Sequence, residues 1–116
     1  MKSRRRWKKE AGRVALALGV VVMLDAPAGS EQGVTIQTFQ FKPTPIEVPA
    51  GAKVSFTNQD DITHTVTSGT PDSPDVKFRH RLEGKGATAT VELGKPGVYP
   101  YFCERHRSMR GEIRVK

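Results

Sequence analysis

"YFCERHRSMRG", Tyr101 to Gly111, holds the only cysteine of the 116-residue chain, one of its three histidines and one of its three methionines. Cys103, His106 and Met109 follow one another at equal steps of three residues. Upstream, "GKPG" at 94–97 is a turn, and Tyr99, Tyr101 and Cys103 then alternate with their neighbours, which predicts a strand that hands a cysteine to a loop. A lone cysteine is ordinarily a buried structural thiol and a lone methionine ordinarily packs. The surroundings of this loop decide between that reading and a group of metal ligands.

Residues 29–116 read as all-β. Val34, Ile36 and Thr38 alternate with Thr35, Gln37 and Phe39, and Ile46 and Val48 run into the turn Pro49-Ala50-Gly51. "KVSFTN" (53–58) puts Val54 and Phe56 on one face, and "THTVTS" (63–68) puts His64 and Val66 on one face with Thr63, Thr65 and Thr67 on the other. Thr88, Thr90 and the run Val91-Glu92-Leu93 make a further strand, and Ile113 and Val115 a last short one. Between Gly69 and Gly86 the sequence is polar and turn-rich, anchored only by Phe78 and Leu82. Short strands between Gly/Pro turns predict a single domain that is a β-sandwich or a small barrel.

The first 28 residues are of another kind. Seven Lys/Arg precede the eleven-residue apolar run "VALALGVVVML" (14–24), and Ala26-Pro27-Ala28 follows. A positive segment, a short apolar segment and an A-x-A-like site predict a signal peptide over 1–28, of the Sec type or, given Arg4-Arg5, the twin-arginine type. An uncleaved anchor is the alternative, although a bilayer span wants about 20 apolar residues and stable membrane insertion is not expected. Residues 1–28 hold seven of the 19 Lys/Arg and two of the 12 Asp/Glu, so +5 of the net +7 lies there and 29–116 carry only +2. The basic character is therefore a targeting feature and gives no ground for nucleic-acid binding. An exported, periplasmic domain of this size commonly adds disulfides, which one cysteine cannot form. A single thiol in that compartment points to ligation.

Thiolate, imidazole and thioether are soft donors. A trigonal His₂Cys set with a weak axial Met suits copper cycling between Cu(I) and Cu(II). The loop supplies Cys103, His106 and Met109, and His64 is the histidine placed to complete the set from a distant strand. His80, between Arg79 and Arg81, reads as solvent-exposed, and Asp60-Asp61 as turn residues; Asn58 reads equally as a turn residue or as a bridge between ligand loops. A binuclear copper centre needs a second cysteine in the loop, a second copper site needs more histidines, and structural zinc prefers Cys and His to thioether. No nucleophile–base pair or phosphate loop is evident, so no enzyme is expected.

"PIEVPAGAKVSFTNQDDITHTVTS" and "GKPGVYPYFCERHRSMRGEIRV" resemble the cupredoxins, the plastocyanin, pseudoazurin and amicyanin group of small blue copper proteins, over nearly all of 33–116. The short Cys-x-x-His-x-x-Met loop is similar to that of amicyanin. Two positions depart from the family's usual residues, Arg105 where Pro is common and Thr65 where Asn is common. The resemblance implies an all-β, Greek-key β-sandwich of roughly 7–8 strands. It also implies one mononuclear type 1 copper held by His64, Cys103, His106 and Met109 in a monomer that passes single electrons between redox proteins. Docking is expected at the His106 loop, rimmed by Arg105, Arg107 and Arg110. A periplasmic protein that buffers or delivers copper is the alternative function.

Overall fold

The computed structural model describes residues 31–116; the leader expected at 1–28 lies outside the described residues. Nine strands follow in chain order: β1 (Glu31–Gln37), β2 (Gln40–Lys42), β3 (Ile46–Val48), β4 (Lys53–Asn58), β5 (His64–Thr70), β6 (Ser73–Leu82), β7 (Thr88–Glu92), β8 (Gly97–Phe102) and β9 (Arg110–Val115). They form two sheets in a sandwich, ordered β2-β1-β4-β7 and β3-β9-β8-β5-β6. β1 pairs with β4, and β3 with β9, in parallel; the remaining pairs are antiparallel. No helix among the described residues is long and apolar enough to cross a membrane.

The period-two pattern becomes the core directly. Val34 and Ile36 of β1, Val54 and Phe56 of β4, and Val91 of β7 are buried from one sheet, and Val66, Tyr101, Ile113 and Val115 from the other. Phe41, Phe56 and Tyr101 meet edge to face, with centroids 4.8 Å apart for Phe41–Tyr101 and 5.2 Å for Phe56–Tyr101. Such pairs add to what their buried area already contributes. The Tyr101 ring lies across its cross-strand partner Gly111, where an added Cβ would stand 2.3 Å from the ring's Cζ. Glycine is required there by the ring above it.

Two strands exceed the expected set, and one expected strand is shorter. The polar stretch after Gly69 is β6, an edge strand paired only with β5. Phe78 and Leu82, the anchors expected of this stretch, are its buried residues, while Val76 sits exposed at φ 52° beside a shift of register between Thr67 and Gly69. An edge strand tolerates Pro74 and outward charges, and these removed its signature from the sequence. β1 ends at Gln37: Thr38 and Phe39, expected to continue it, form a two-residue hairpin turn into β2 with φ of 54° and 58°. Both residues are exposed.

Three polar residues of β5, Thr65, Thr67 and Ser68, are buried. Charged side chains fold over them. Thr67 Oγ1 donates to Glu104 Oε2 at 2.5 Å, Glu104 takes Arg79 in a two-pronged pair at 2.7 and 2.8 Å, and Ser68 Oγ donates to Asp75 Oδ1 at 2.5 Å. Buried hydroxyls stay favourable because each has a partner.

Gly111→Ala should lower stability by about 1–3 kcal/mol through overpacking against Tyr101, whereas Gly33→Ala, with open space around its Cβ position, should be near neutral; urea denaturation of both variants checks this. Arg79 first, and Thr67 second, hold the Glu104 carboxyl below its ordinary value of 4.5. A carboxyl depressed in the folded state adds stability above the unfolded value, and that stability is lost as pH falls through the folded value. The difference in urea midpoint between wild type and Glu104→Gln should accordingly be present at neutral pH and narrow on the acid side. A constant difference across that range would show that the clamp carries no linked stability.

Candidate metal centre

His64 opens β5 and Cys103 follows the last residue of β8. The antiparallel pairing of Thr67 with Phe102 and of Ser68 with Tyr101 sets these two strand ends side by side. Cys103 Sγ lies 3.7 Å from His64 Nδ1. The loop that follows closes on itself: Met109 N–H donates to the His106 carbonyl at 2.9 Å, and Cys103 N–H donates to the Met109 carbonyl at 3.1 Å. Steps of three thus fold back into a tight loop in which Met109 returns beside Cys103 with His106 between them.

One donor atom from each of His64, Cys103 and His106 lies within 4.8 Å of the others. A single ion with bonds of roughly 2.0–2.3 Å spans such a group. His64 and Cys103 are fully buried and His106 partly so. Nδ1 of His106 is buried with no hydrogen-bond partner among the described residues. A buried ring nitrogen without a partner is costly, and a metal ion beside Cys103 and His64 relieves that cost. The fourth sequence candidate, Met109, is buried and tied by its backbone to Cys103. His80 lies outside this group, half-buried on β6 opposite Val66.

The residues around the group have defined tasks. The backbone N–H of Thr65 points at Cys103 Sγ from 3.4 Å, a hydrogen bond suited to a thiolate. Thr65 Oγ1 accepts the Glu104 N–H at 2.8 Å, fixing the residue next to the cysteine. Thr65, read only as a departure from the usual Asn, thus serves the thiolate side of the site.

Asp60 is more than a turn residue. Its Oδ2 lies 2.8 Å from His64 Nε2, and its carboxylate also accepts the N–H groups of Thr38 at 2.8 Å and Phe39 at 3.1 Å. Burial pushes this carboxyl up, but the N–H groups of Phe39 and Thr38 and the ring of His64 outweigh it and hold it below its ordinary value. Asn58, fully buried, shapes the loop that carries Asp60: its Nδ2 donates to the carbonyls of Ile62 (2.8 Å) and Leu82 (3.2 Å), and its Oδ1 accepts the Asp60 N–H (2.9 Å). Phe39 places its ring edge to face against His106 and His64, with centroids 4.9 and 5.6 Å away. Asp60 and Phe39 escaped the sequence reading because nothing local marks them. The acid four residues before a histidine was the sole available signal.

Residues 28–116 match the family model for copper binding proteins of the plastocyanin/azurin family. The chain is 29% identical over 103 residues to amicyanin-alpha of Methylorubrum extorquens, covering 88% of this chain and 86% of that one. It is 30% identical over 95 residues to plastocyanin A/B of Petroselinum crispum, covering 75% of this chain and 94% of the relative. In fold it is similar to a purple cupredoxin from Nitrosopumilus maritimus, with a TM-score of 0.67 at 23% identity over 72% of this chain and 98% of that one. A three-donor cluster at the end of paired strands, inside a two-sheet sandwich, agrees with these likenesses, and the chain belongs to the plastocyanin/azurin family of copper-binding proteins, with one copper ion as its cofactor.

Proposed function

We propose that this protein is a single-electron carrier with a type 1 copper centre held by His64, Cys103, His106 and Met109, and that it is not an enzyme. The observation that carries the reading is the convergence of His64, Cys103 and His106 within 4.8 Å, with His106 Nδ1 buried and without a hydrogen-bond partner among the described residues. Bound copper supplies the one-electron couple between Cu(I) and Cu(II). The protein's part is to hold its donors still. Cys103 is anchored by the Thr65 N–H and by its own N–H to Met109, and His64 is rooted in β5 with its far nitrogen on Asp60. A site held by packed sheets changes little between oxidation states, which keeps electron exchange fast. His106, the less buried histidine, is the exit toward a partner.

Residues 1–28 fit an export leader and 29–116 the working domain, acting as a monomer in the periplasm. Arg105, Arg107 and Arg110 are all exposed around the His106 loop. The one acid of the loop, Glu104, is engaged by Arg79 at 2.7 Å and leaves this rim positive. An acidic redox partner docking there is steered by charge, an effect screened over a Debye length of about 8 Å at physiological salt.

Cu(II) added to residues 29–116 should give an intense visible thiolate-to-copper band, absent in Cys103→Ser. A wild type that stays colourless with copper bound would overturn the reading. Reversible cycling without copper loss supports the carrier, whereas rapid Cu(I) transfer to an acceptor indicates delivery. Stopped-flow electron transfer to an acidic acceptor should slow with added salt, and less so when Arg105→Glu and Arg107→Glu are combined. Rates indifferent to salt in the wild type would move the docking surface elsewhere.

A further inference from the structure

One carboxylate accepts three donors from two parts of the chain. Asp60 takes the N–H groups of Thr38 and Phe39 and faces His64 Nε2, with no distance above 3.1 Å. Thr38 and Phe39 occupy the left-handed region at φ 54° and 58°. A β-branched or aromatic residue there is strained and persists only where its surroundings over-determine it. Two-residue hairpin turns of this kind favour Asn-Gly or Asp-Gly. Here the sequence is Thr-Phe, and the carboxylate of Asp60 supplies what glycine would otherwise allow.

The turn is not held for its own sake. Its second residue, Phe39, is 50% exposed, yet its ring is aimed at both histidines instead of at solvent or the core. An ionised carboxylate can only accept, so the proton of the Asp60–His64 contact resides on Nε2. In the neutral ring this leaves Nδ1, the nitrogen 3.7 Å from Cys103 Sγ, with its lone pair free. A carboxylate on the far nitrogen of a metal-ligating histidine fixes the tautomer and raises the basicity of the ligating nitrogen.

We propose that Asp60 is the positioning residue of the copper centre, fixing the His64 ring with Nδ1 toward the metal and, through the Thr38–Phe39 turn, holding the Phe39 ring over His64 and His106. This rests on the copper reading above. Ligand position and outer cover then answer to one side chain, which couples the entry of β2 to the metal. A more basic His64 also favours Cu(II), so Asp60 lowers the reduction potential relative to a neutral residue.

The test compares Asp60→Ala, Asp60→Asn and Asp61→Ala, the last removing an exposed neighbouring charge. In the metal-free wild type, ring-nitrogen NMR should find His64 protonated on Nε2; in Asp60→Ala this preference should be lost and the Thr38 and Phe39 amide signals should move. Copper affinity should fall about 10–100-fold in Asp60→Ala, and the reduction potential should rise more than in Asp61→Ala. Asp60→Asn keeps the shape but cannot serve all three donors, so it should disturb either the His64 tautomer or the turn amides if the alanine variant fails to fold. An unchanged tautomer with unchanged turn amides in either Asp60 variant, or affinity and potential that move equally in Asp60→Ala and Asp61→Ala, overturns the proposal. A wild type lacking the thiolate-to-copper band sinks the electron-transfer reading instead, so the two failures are separable.

Discussion

The metal centre depends on the register of β5 against β8. Pairing Thr67 with Phe102 and Ser68 with Tyr101 fixes His64, three residues before Thr67, beside Cys103, one residue after Phe102. A slip of one residue in either strand would turn every side chain to the opposite face and separate the imidazole from the thiol. The register is secured from both sides of the sheet. Tyr101 is locked between Phe41, Phe56 and Gly111 in the core, and on the outer face Thr67 is bound to Glu104. Core packing and the outer polar clamp therefore protect the same alignment.

A second layer of order comes from the other sheet. β1 and β4 run in parallel with Ile36 opposite Asn58, and Gln59 N–H extends the ladder to the Ile36 carbonyl at 2.8 Å. Parallel strands end at the same edge of a sheet, so the turn after β1 and the loop after β4 emerge together. That places Asp60 against Thr38 and Phe39, and both against the end of β5 where His64 stands. His64 and Cys103 stand at strand ends of the five-stranded sheet, and the Asp60 and Phe39 contacts to His64 come from loops of the four-stranded one.

Among the described residues the buried polar groups follow one rule with two exceptions, of which the first, the Tyr101 hydroxyl, belongs to the ring packed between Phe41 and Phe56 in the core. Asn58, Thr65, Thr67 and Ser68 are buried and each is hydrogen-bonded. His106 Nδ1 is buried with none among the described residues. A buried imidazole nitrogen without a partner, close to a thiol and a second imidazole, is a donor suited to a soft cation. The likeness to amicyanin and plastocyanin agrees with that chemistry, and the short spacing from Cys103 to Met109 is accommodated by the two backbone bonds that close the loop.

The sequence by itself determined whatever is local or periodic. Alternation in β1, β4, β7 and β9 marked core faces that the structure buries, because a strand's side chains alternate regardless of what packs on them. That Cys103, His106 and Met109 stand near one another was legible because residues of one short loop share a neighbourhood by covalent connection alone. His64 was legible as the one histidine in a strand of the right kind. Only the tertiary structure decided the rest. β6 was hidden because an edge strand needs just Phe78 and Leu82 inward and leaves its other positions free to be polar. The Thr38–Phe39 turn was hidden because its stabilising partner, Asp60, is 22 and 21 residues away. Thr65 and Thr67 became buried through charged side chains folding over them from β6 and the loop after β8. In each case the deciding contact joins residues far apart in the chain, and only the pairing of whole strands sets their distance.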